Sequence, residues 1–379
     1  MRRTLIVTND FPPRQGGIQS FVHQLALRQP PGSVVVYASD YEGSREFDAQ
    51  QPFPVVRHRS IAGRRSGLLI PTPHTRRRVV STLRDYHCTA VWFGASAPLG
   101  LLAPALRSAG AEQIVATTHG HEVGWAMLPA ARQALRRIGE GCDIVTYLGD
   151  YTLRRLNRAF GSRADLRRLT PGVDAAMFHP GVSGSTIRVR YGLADRPVIV
   201  CVSRMVPRKG QDRLIEALPE IRRRVPGTAL LIVGRGKYHD ELLALAQRHG
   251  VAEDVVLTGG VPYSELPAHY AAGDVFAMPC RTRRFGMDVE GLGIVFLEAS
   301  ATGLAVLAGD SGGAPDAVRV GETGYVVDGN NVEAITARLV QLLTDAPLRA
   351  RLGTAGRAWV ERDWQWDGLA AQLRSYLEE

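Results

Sequence analysis

The chain has 379 residues, 45% of them hydrophobic and 22% charged: enough to bury two cores of ordinary domain size, and too apolar for a disordered chain. Its net charge of +9 is unevenly placed, since residues 1–180 carry 23 Arg against 13 acids (+10) and residues 181–379 carry 23 Lys and Arg against 24 acids (−1). Four cysteines without CxxC spacing exclude a disulfide framework and a cysteine-based metal knuckle, and predict a reducing, cytoplasmic setting.

Arg2 and Arg3 precede Leu5-Ile6-Val7, an apolar run far too short for a signal-peptide core, which reads as a first buried strand over Thr4–Val7. Further strands are predicted at Ser33–Tyr37, Ala90–Phe93, Ile114–Thr117 and Asp143–Tyr147. A second set follows at Val198–Val202, Ala229–Val233, Val255–Leu257, Val275–Met278, Ala305–Ala308 and Gly324–Val326, with amphipathic helices such as Asp212–Arg224 and His239–His249 between them. Continuous apolar strands alternating with helices predict parallel sheets covered on both faces, and two such sets predict two doubly wound, Rossmann-like domains. Pro171-Gly172, His179-Pro180-Gly181 and Ser183-Gly184-Ser185 place the seam within residues 172–197. The charge-free stretch Thr89–Leu106 has 18 residues, but Gly94, Pro98, Gly100 and Pro104 make it a strand, a turn and a helix start rather than a membrane span.

The basic excess concentrates in Phe53–Arg84, with eight arginines (57, 59, 64, 65, 76, 77, 78 and 84) and no acid. Such a block faces a polyanion, an anionic membrane or solvent. No aromatic residue lies within Arg57–Arg84, which disfavours single-stranded nucleic acid.

Several loops after strands carry candidate chemistry. Gly16-Gly17 opens a helix after the first strand and allows an anion close to free backbone N–H groups, although it is not a GxGxxG dinucleotide fingerprint. His119 and His121 follow the strand ending at Thr117; without further ligands at sensible spacing, His119 reads as facing substrate rather than metal. Arg204 and Lys209, after Val198–Val202, combine a planar fork with a point charge, as a diphosphate requires, and Lys209 is one of only two lysines. Gly234-Arg235-Gly236 reads as a tight turn rather than a phosphate loop. Glu290-Gly291-Leu292-Gly293-Ile294 joins an acid to a glycine-rich helix start, with Glu298 eight residues after Glu290. The helix start offers donors to phosphate; Glu290 is placed to hold sugar hydroxyls, and Glu298 either accepts from ribose or interacts with the helix dipole. No Asp-x-Asp occurs, so no carboxylate pair is evident for a nucleotide-bound metal.

The Glu290-x7-Glu298 pattern, Arg204 with Lys209, Gly16-Gly17 and the two Rossmann-like halves resemble the GT-B fold of retaining glycosyltransferase family 4. The resemblance spans essentially the whole chain. Arg14–Phe21, Thr118–Glu122 and Arg281-Thr282-Arg283 look most like the actinobacterial GDP-mannose-dependent mannosyltransferases that act on phosphatidylinositol mannosides.

The resemblance implies two domains facing a central cleft: an acceptor- and membrane-facing domain over 1–175 and a nucleotide-sugar domain over 176–362. A C-terminal helix, 363–379, would cross back to the first. It further implies that Arg204 and Lys209 bind the donor diphosphate with Gly16 and Gly17, that Glu290 holds mannose, and that Gly291, Gly293 and Ile294 surround phosphate and sugar. Glu298 would bind ribose, the backbone near Val261 the base, and His119 the transferred sugar. The implied reaction retains configuration by front-side attack within an ion pair, without cofactor or metal, and forms an α-1,6 linkage to an anionic glycolipid. The rival within the same fold uses a UDP-sugar and another acceptor. The arginine block (Arg57, Arg59, Arg64, Arg65, Arg76, Arg77 and Arg78) then implies peripheral attachment to the inner face of the cell membrane, with Leu68-Leu69-Ile70 dipping into the interface.

Overall fold

The computed structural model describes residues 2–14, 16–58 and 68–379, and the chain divides into two units. Unit 1 comprises Met1–Gly172 with Trp366–Glu379, and unit 2 is Val173–Gln365. Unit 1 is built on seven strands, β1 (Thr4–Thr8), β2 (Val34–Ser39), β3 (Val55–His58), β4 (Ala90–Phe93), β5 (Gln113–Thr117), β6 (Ile144–Tyr147) and β7 (Asp165–Arg168). They form one parallel sheet in the order β3-β2-β1-β4-β5-β6-β7.

The five apolar strands are those the sequence predicts. The two edge strands, β3 and β7, were not among them. Val-Val-Arg-His and Asp-Leu-Arg-Arg lack the apolar run because an edge strand has one side open to water, and β7 is half-exposed along its length.

Two cores cover the faces of this sheet. On one face Leu5, Val35, Val91 and Ile114 pack with Val79 and Leu83 of the helix Pro73–Asp85 and with Leu135 and Ile138 of the helix Pro129–Gly141. On the other, Ile6, Val36, Trp92 and Val115 pack with Phe21, Val22 and Leu25 of the helix Gly17–Leu27. The final helix, Trp366–Glu378, adds Leu369, Ala370, Leu373, Tyr376 and Leu377 to this second core. Each fully buried Leu there contributes roughly 1.5–3 kcal/mol. Tyr376 fixes the helix along the sheet: its carbonyl accepts from Gln113 Nε2 (2.7 Å) and its hydroxyl donates to Arg168 O (3.0 Å).

Unit 2 has six strands, β8 (Val198–Val202), β9 (Ala229–Val233), β10 (Val255–Leu257), β11 (Val275–Met278), β12 (Ala305–Gly309) and β13 (Gly324–Val327), all predicted to within a residue or so. Their order, β10-β9-β8-β11-β12-β13, is again parallel throughout. In both units the strand order reverses beside the first strand, between β1 and β4 and between β8 and β11. A crevice opens at the carboxyl ends of the strands at such a point, where doubly wound sheets hold their ligands. Among the described residues no helix is long and apolar enough to cross a membrane.

The arginine block is corrected in part. Arg59, Arg64 and Arg65 lie outside the described residues. Arg57 belongs to the interior of unit 1: only 10% of its side chain is exposed, it pairs with Asp48 at 2.6 Å, and it donates to the carbonyls of Ser39 and Pro12. A guanidinium so committed is withdrawn from any membrane face. Leu69 is likewise buried, its backbone held at both N–H and C=O by the Asn9 amide, whereas Leu68 and Ile70 are exposed. Arg76, Arg77, Arg78 and Arg84 stand exposed on the helix Pro73–Asp85, whose Thr75, Val79, Thr82 and Leu83 are buried; Arg78 flanks that buried face and reaches the Tyr37 hydroxyl. Thr72 caps that helix by accepting from Thr75 N.

Candidate functional site

The strand end of β8 carries the densest constellation. After Val202 the chain runs through Ser203–Gly210 into the helix Gln211–Arg224, and Gln211 Nε2 ties the turn by donating to Ser203 Oγ (2.8 Å) and Arg204 O (2.9 Å). Gly210 closes it with φ +78°, where an added Cβ would lie 2.1 Å from Pro279 O; only glycine fits. This close packing buries Lys209 while Arg204 projects into solvent.

Lys209 Nζ lies 2.6 Å from Glu290 Oε2, and both side chains are less than a tenth exposed. Arg208 stands 4.0 Å from the same carboxylate and 3.6 Å from Asp288. Burial alone would raise the Glu290 carboxyl, but Lys209, Arg208 and Arg204 outweigh it and hold it below the ordinary range. Glu290 is therefore a charged acceptor at neutral pH. Its backbone is fixed as well, its carbonyl accepting from Gly313 N (2.9 Å) and its N–H donating to Ser311 Oγ (3.3 Å). Arg208 lies in the same loop as Arg204 and Lys209, but spacing cannot tell it from its neighbours; only the packed turn aims it at Asp288 and Glu290.

A second pair locks the same turn. Arg281, after β11, binds Asp212 through two hydrogen bonds of 2.8 and 2.6 Å, and its N–H donates to Arg208 O (2.8 Å). Both partners are buried, so the pair holds the β8 turn to the β11 loop. Gly234 and Gly236 approach Ser203 O and Met205 O so closely that an added Cβ would lie 2.1 Å away in each case, which supports the structural reading of that turn. Lys237 beside it is exposed.

Gly291 and Gly293 lead into the helix Ile294–Ala301, with Gly293 at φ +82°. An added Cβ on Gly293 would strike the Phe296 ring at 2.5 Å and lie 3.6 Å from Glu290 Cγ. Glu298, one turn on, is buried and accepts from Tyr270 Oη at 2.6 Å. Burial raises its carboxyl to about 7, although the Tyr270 hydrogen bond works the other way. Val261, half-buried, follows β10 by a few residues.

The raised Glu298 value has a definite sign. Its ordinary value is 4.5, so the native state favours the protonated form, and stability contributed by this group is lost as pH rises from 4.5 through about 7. The shift corresponds to about 3 kcal/mol at most. Chemical denaturation at pH 5 and pH 8 should give a larger drop for the wild type than for Glu298→Gln. Equal drops would show that burial does not hold the proton on Glu298.

In unit 1, Gly17 opens the helix Gly17–Leu27, and an added Cβ there would meet nothing within 4 Å, so the helix start is open to a ligand. Gly16 precedes it in an extended conformation, crowded by Gln19, whose amide donates to Asp10 Oδ1 at 2.7 Å. His119 follows β5, and its Nε2 lies 2.6 Å from Gly94 O after β4. A carbonyl only accepts, so Nε2 carries the proton and Nδ1 is left as the acceptor. Burial lowers the His119 value, which keeps the ring neutral.

Glu122, given no role from sequence, organises this loop. Completely buried, it accepts from Ser96 Oγ (3.0 Å) and His119 N (3.0 Å), with His121 Nε2 at 3.4 Å. With its carboxylate so engaged, Glu122 fixes the backbone of His119 and stands beside the His121 ring. Among the described residues no group of three His, Cys, Asp or Glu is placed to hold a metal. All four cysteines are free and buried.

Two family models match this chain: one described as Glycosyltransferase Family 4 over residues 15–176, and one described as Glycosyl transferases group 1 over residues 185–359. It is 51% identical to the GDP-mannose-dependent alpha-(1-6)-phosphatidylinositol monomannoside mannosyltransferase of Mycobacterium tuberculosis, across 100% of this chain and 98% of that protein. With the protein of that name from Mycolicibacterium smegmatis the identity is 53%, over 98% and 97%. Among solved structures, the Anabaena protein Alr3699/HepE in complex with UDP superposes with a TM-score of 0.83 at 19% identity, covering 99% of each chain, which speaks to fold alone.

Proposed function

This chain belongs to glycosyltransferase family 4, with the GT-B fold of two Rossmann-like domains, and on that premise we propose that it transfers mannose from GDP-mannose to a phosphatidylinositol monomannoside, with retention, through an α-1,6 linkage. The observation that carries this reading is identity above 50% along the full length with enzymes so named. The crevice at β8 and β11 supports it, because the residues gathered there meet the needs of a nucleoside diphosphate sugar.

In this reading Arg204 and Lys209 take the donor diphosphate. Lys209 already pairs with Glu290, so one cation serves the phosphate and orients the carboxylate that accepts from mannose hydroxyls. Gly291, Gly293 and Ile294 line the helix start beside the phosphate, Glu298 accepts from the ribose hydroxyls, and the backbone near Val261 meets the base. His119 presents its neutral Nδ1 to a hydroxyl of the transferred sugar. As the C1–O bond to the diphosphate breaks, the departing charge grows beside Arg204 and beside Lys209, which its pairing with Glu290 fixes before the reaction begins. The acceptor hydroxyl attacks from the same face and yields its proton to a departing phosphate oxygen.

Positive side chains do the charge neutralisation in this scheme, so transfer is expected without a metal. Radiolabelled GDP-mannose incubated with the protein and phosphatidylinositol monomannoside vesicles should yield the dimannoside at the same rate with and without EDTA. A rate that vanishes with chelator and returns with Mn²⁺ would overturn the metal-free scheme. UDP-glucose or UDP-mannose outcompeting GDP-mannose would favour the rival donor class. The exposed arginines of the helix Pro73–Asp85 support attachment at the inner membrane face, where such an acceptor lies.

A further inference from the structure

Between β11 and the Glu290 loop the chain makes a short hairpin. Arg283 and Asp288 face each other as an antiparallel bridge, each N–H donating to the other's carbonyl, at 2.9 and 3.2 Å. The turn between them is unusual: Arg284 and Phe285 both take left-handed conformations, at φ +50° and +54°, followed by Gly286 at +90°. Bulky residues adopt this region only at a cost. The path carries the Phe285 side chain outward, where it is 98% exposed, with Met287 61% exposed beside it. No other large apolar side chain among the described residues is so fully in water as Phe285.

The base of this hairpin is anchored. Arg281 is locked to buried Asp212, and Asp288 lies 3.6 Å from Arg208. Among the described residues Arg283 and Arg284 make no ion pair, Asp288 being turned to Arg208 instead. The tip therefore presents two aromatic or thioether groups and two uncompensated cations on a stiff stem. It does so in a half of the chain with no basic excess of its own, so a local device is what would draw that half to an anionic surface.

We propose that this tip is a membrane contact of unit 2, distinct from the arginine helix of unit 1. Phe285 and Met287 enter the boundary between headgroups and acyl chains, while Arg283 and Arg284 remain at the lipid phosphates. An apolar tip with Arg284 exposed beside it and Arg283 at its base matches an anionic lipid surface, the one acid of the hairpin, Asp288, being turned to Arg208. Because the stem leads directly into Glu290, insertion sets the height of the sugar-binding carboxylate above the lipid, and so positions a headgroup acceptor. The inference rests on the reading that the acceptor is a membrane glycolipid.

The four native cysteines are buried, so Phe285→Cys offers one accessible thiol for an environment-sensitive fluorophore, with Glu241→Cys, exposed elsewhere in unit 2, as control. With vesicles of phosphatidylinositol and phosphatidylcholine, the label at 285 should brighten, shift to the blue and be quenched by a lipid spin-labelled near the headgroup; the label at 241 should do none of these. Phe285→Ser should weaken vesicle partitioning by about tenfold or more, the loss expected for one buried aromatic side chain. Its GDP affinity and its turnover with a short-chain, water-soluble acceptor should be unchanged. Vesicle binding with no response at 285 would overturn the tip contact and leave the glycolipid reading standing. Failure to bind vesicles of any composition would overturn both. A response at 285 that follows protein concentration without lipid would assign the tip to a second copy of the chain, and would also overturn the proposal.

Discussion

Replacing Lys209 by methionine is expected to cost both stability and donor binding. The variant keeps the volume of the side chain but leaves Glu290 as a buried carboxylate whose nearest remaining cation, Arg208, is 4.0 Å away. Removing one partner of a buried pair costs about 3–5 kcal/mol, most of it from the stranded charge. If Lys209 also grips the diphosphate, GDP binding falls by a further 1.5–3 kcal/mol, roughly ten- to a hundredfold. The double variant Lys209→Met with Glu290→Gln separates the two effects. It should recover much of the lost stability, because no buried charge is stranded, while GDP affinity stays low and mannosyl transfer stays lost. Denaturant titration beside calorimetry with GDP measures both. A double variant that binds GDP as the wild type does would remove Lys209 from the donor site and leave the pair a structural one.

Loss of Arg76, Arg77 and Arg78 should abolish most of the affinity of unit 1 for an anionic surface. All three are exposed, but Arg78 also reaches the hydroxyl of buried Tyr37, so the fold of the triple serine variant is checked by circular dichroism before its binding is compared. At about 1 kcal/mol for each basic residue near such a surface, the triple variant loses roughly 3 kcal/mol, more than a hundredfold in partitioning. The attraction is screened over about 8–10 Å, so wild-type binding should itself fall steeply between low and physiological salt. GDP affinity should survive, because the donor residues of unit 2 are untouched. Co-sedimentation with phosphatidylinositol vesicles at two salt concentrations is the measurement. Equal binding by wild type and variant would assign these arginines to solvent.

The fold was legible wherever a strand is buried on both faces. The apolar runs of β1, β2, β4, β5 and β6, and of β8, β9, β11 and β12, stand out because these strands are buried along almost their whole length. The half-buried edges of the second sheet, β10 and β13, were legible because Val-Val-Leu and Gly-Tyr-Val-Val stay apolar. The edge strands β3 and β7 were not legible, since a strand open to water on one side carries arginine and aspartate as readily as valine. The candidate site was legible as residue types at strand ends: an arginine with a lysine after β8, and two glutamates about a glycine-rich helix start. Side-chain partnership was not. Arg57 looked like its neighbours in an acid-free block, yet Asp48, nine residues before it, draws it inside. Glu122 looked like an ordinary acid after two histidines, yet it is the buried hub of the His119 loop. Arg208 and Lys209 are adjacent in sequence, and only the turn closed by Gly210 brings them together on Glu290. Composition and periodicity report how much of a segment meets water, which is a local property. Which charge neutralises which depends on distances between residues far apart in the chain, and those exist only once the strands have paired and the loops at their ends have packed.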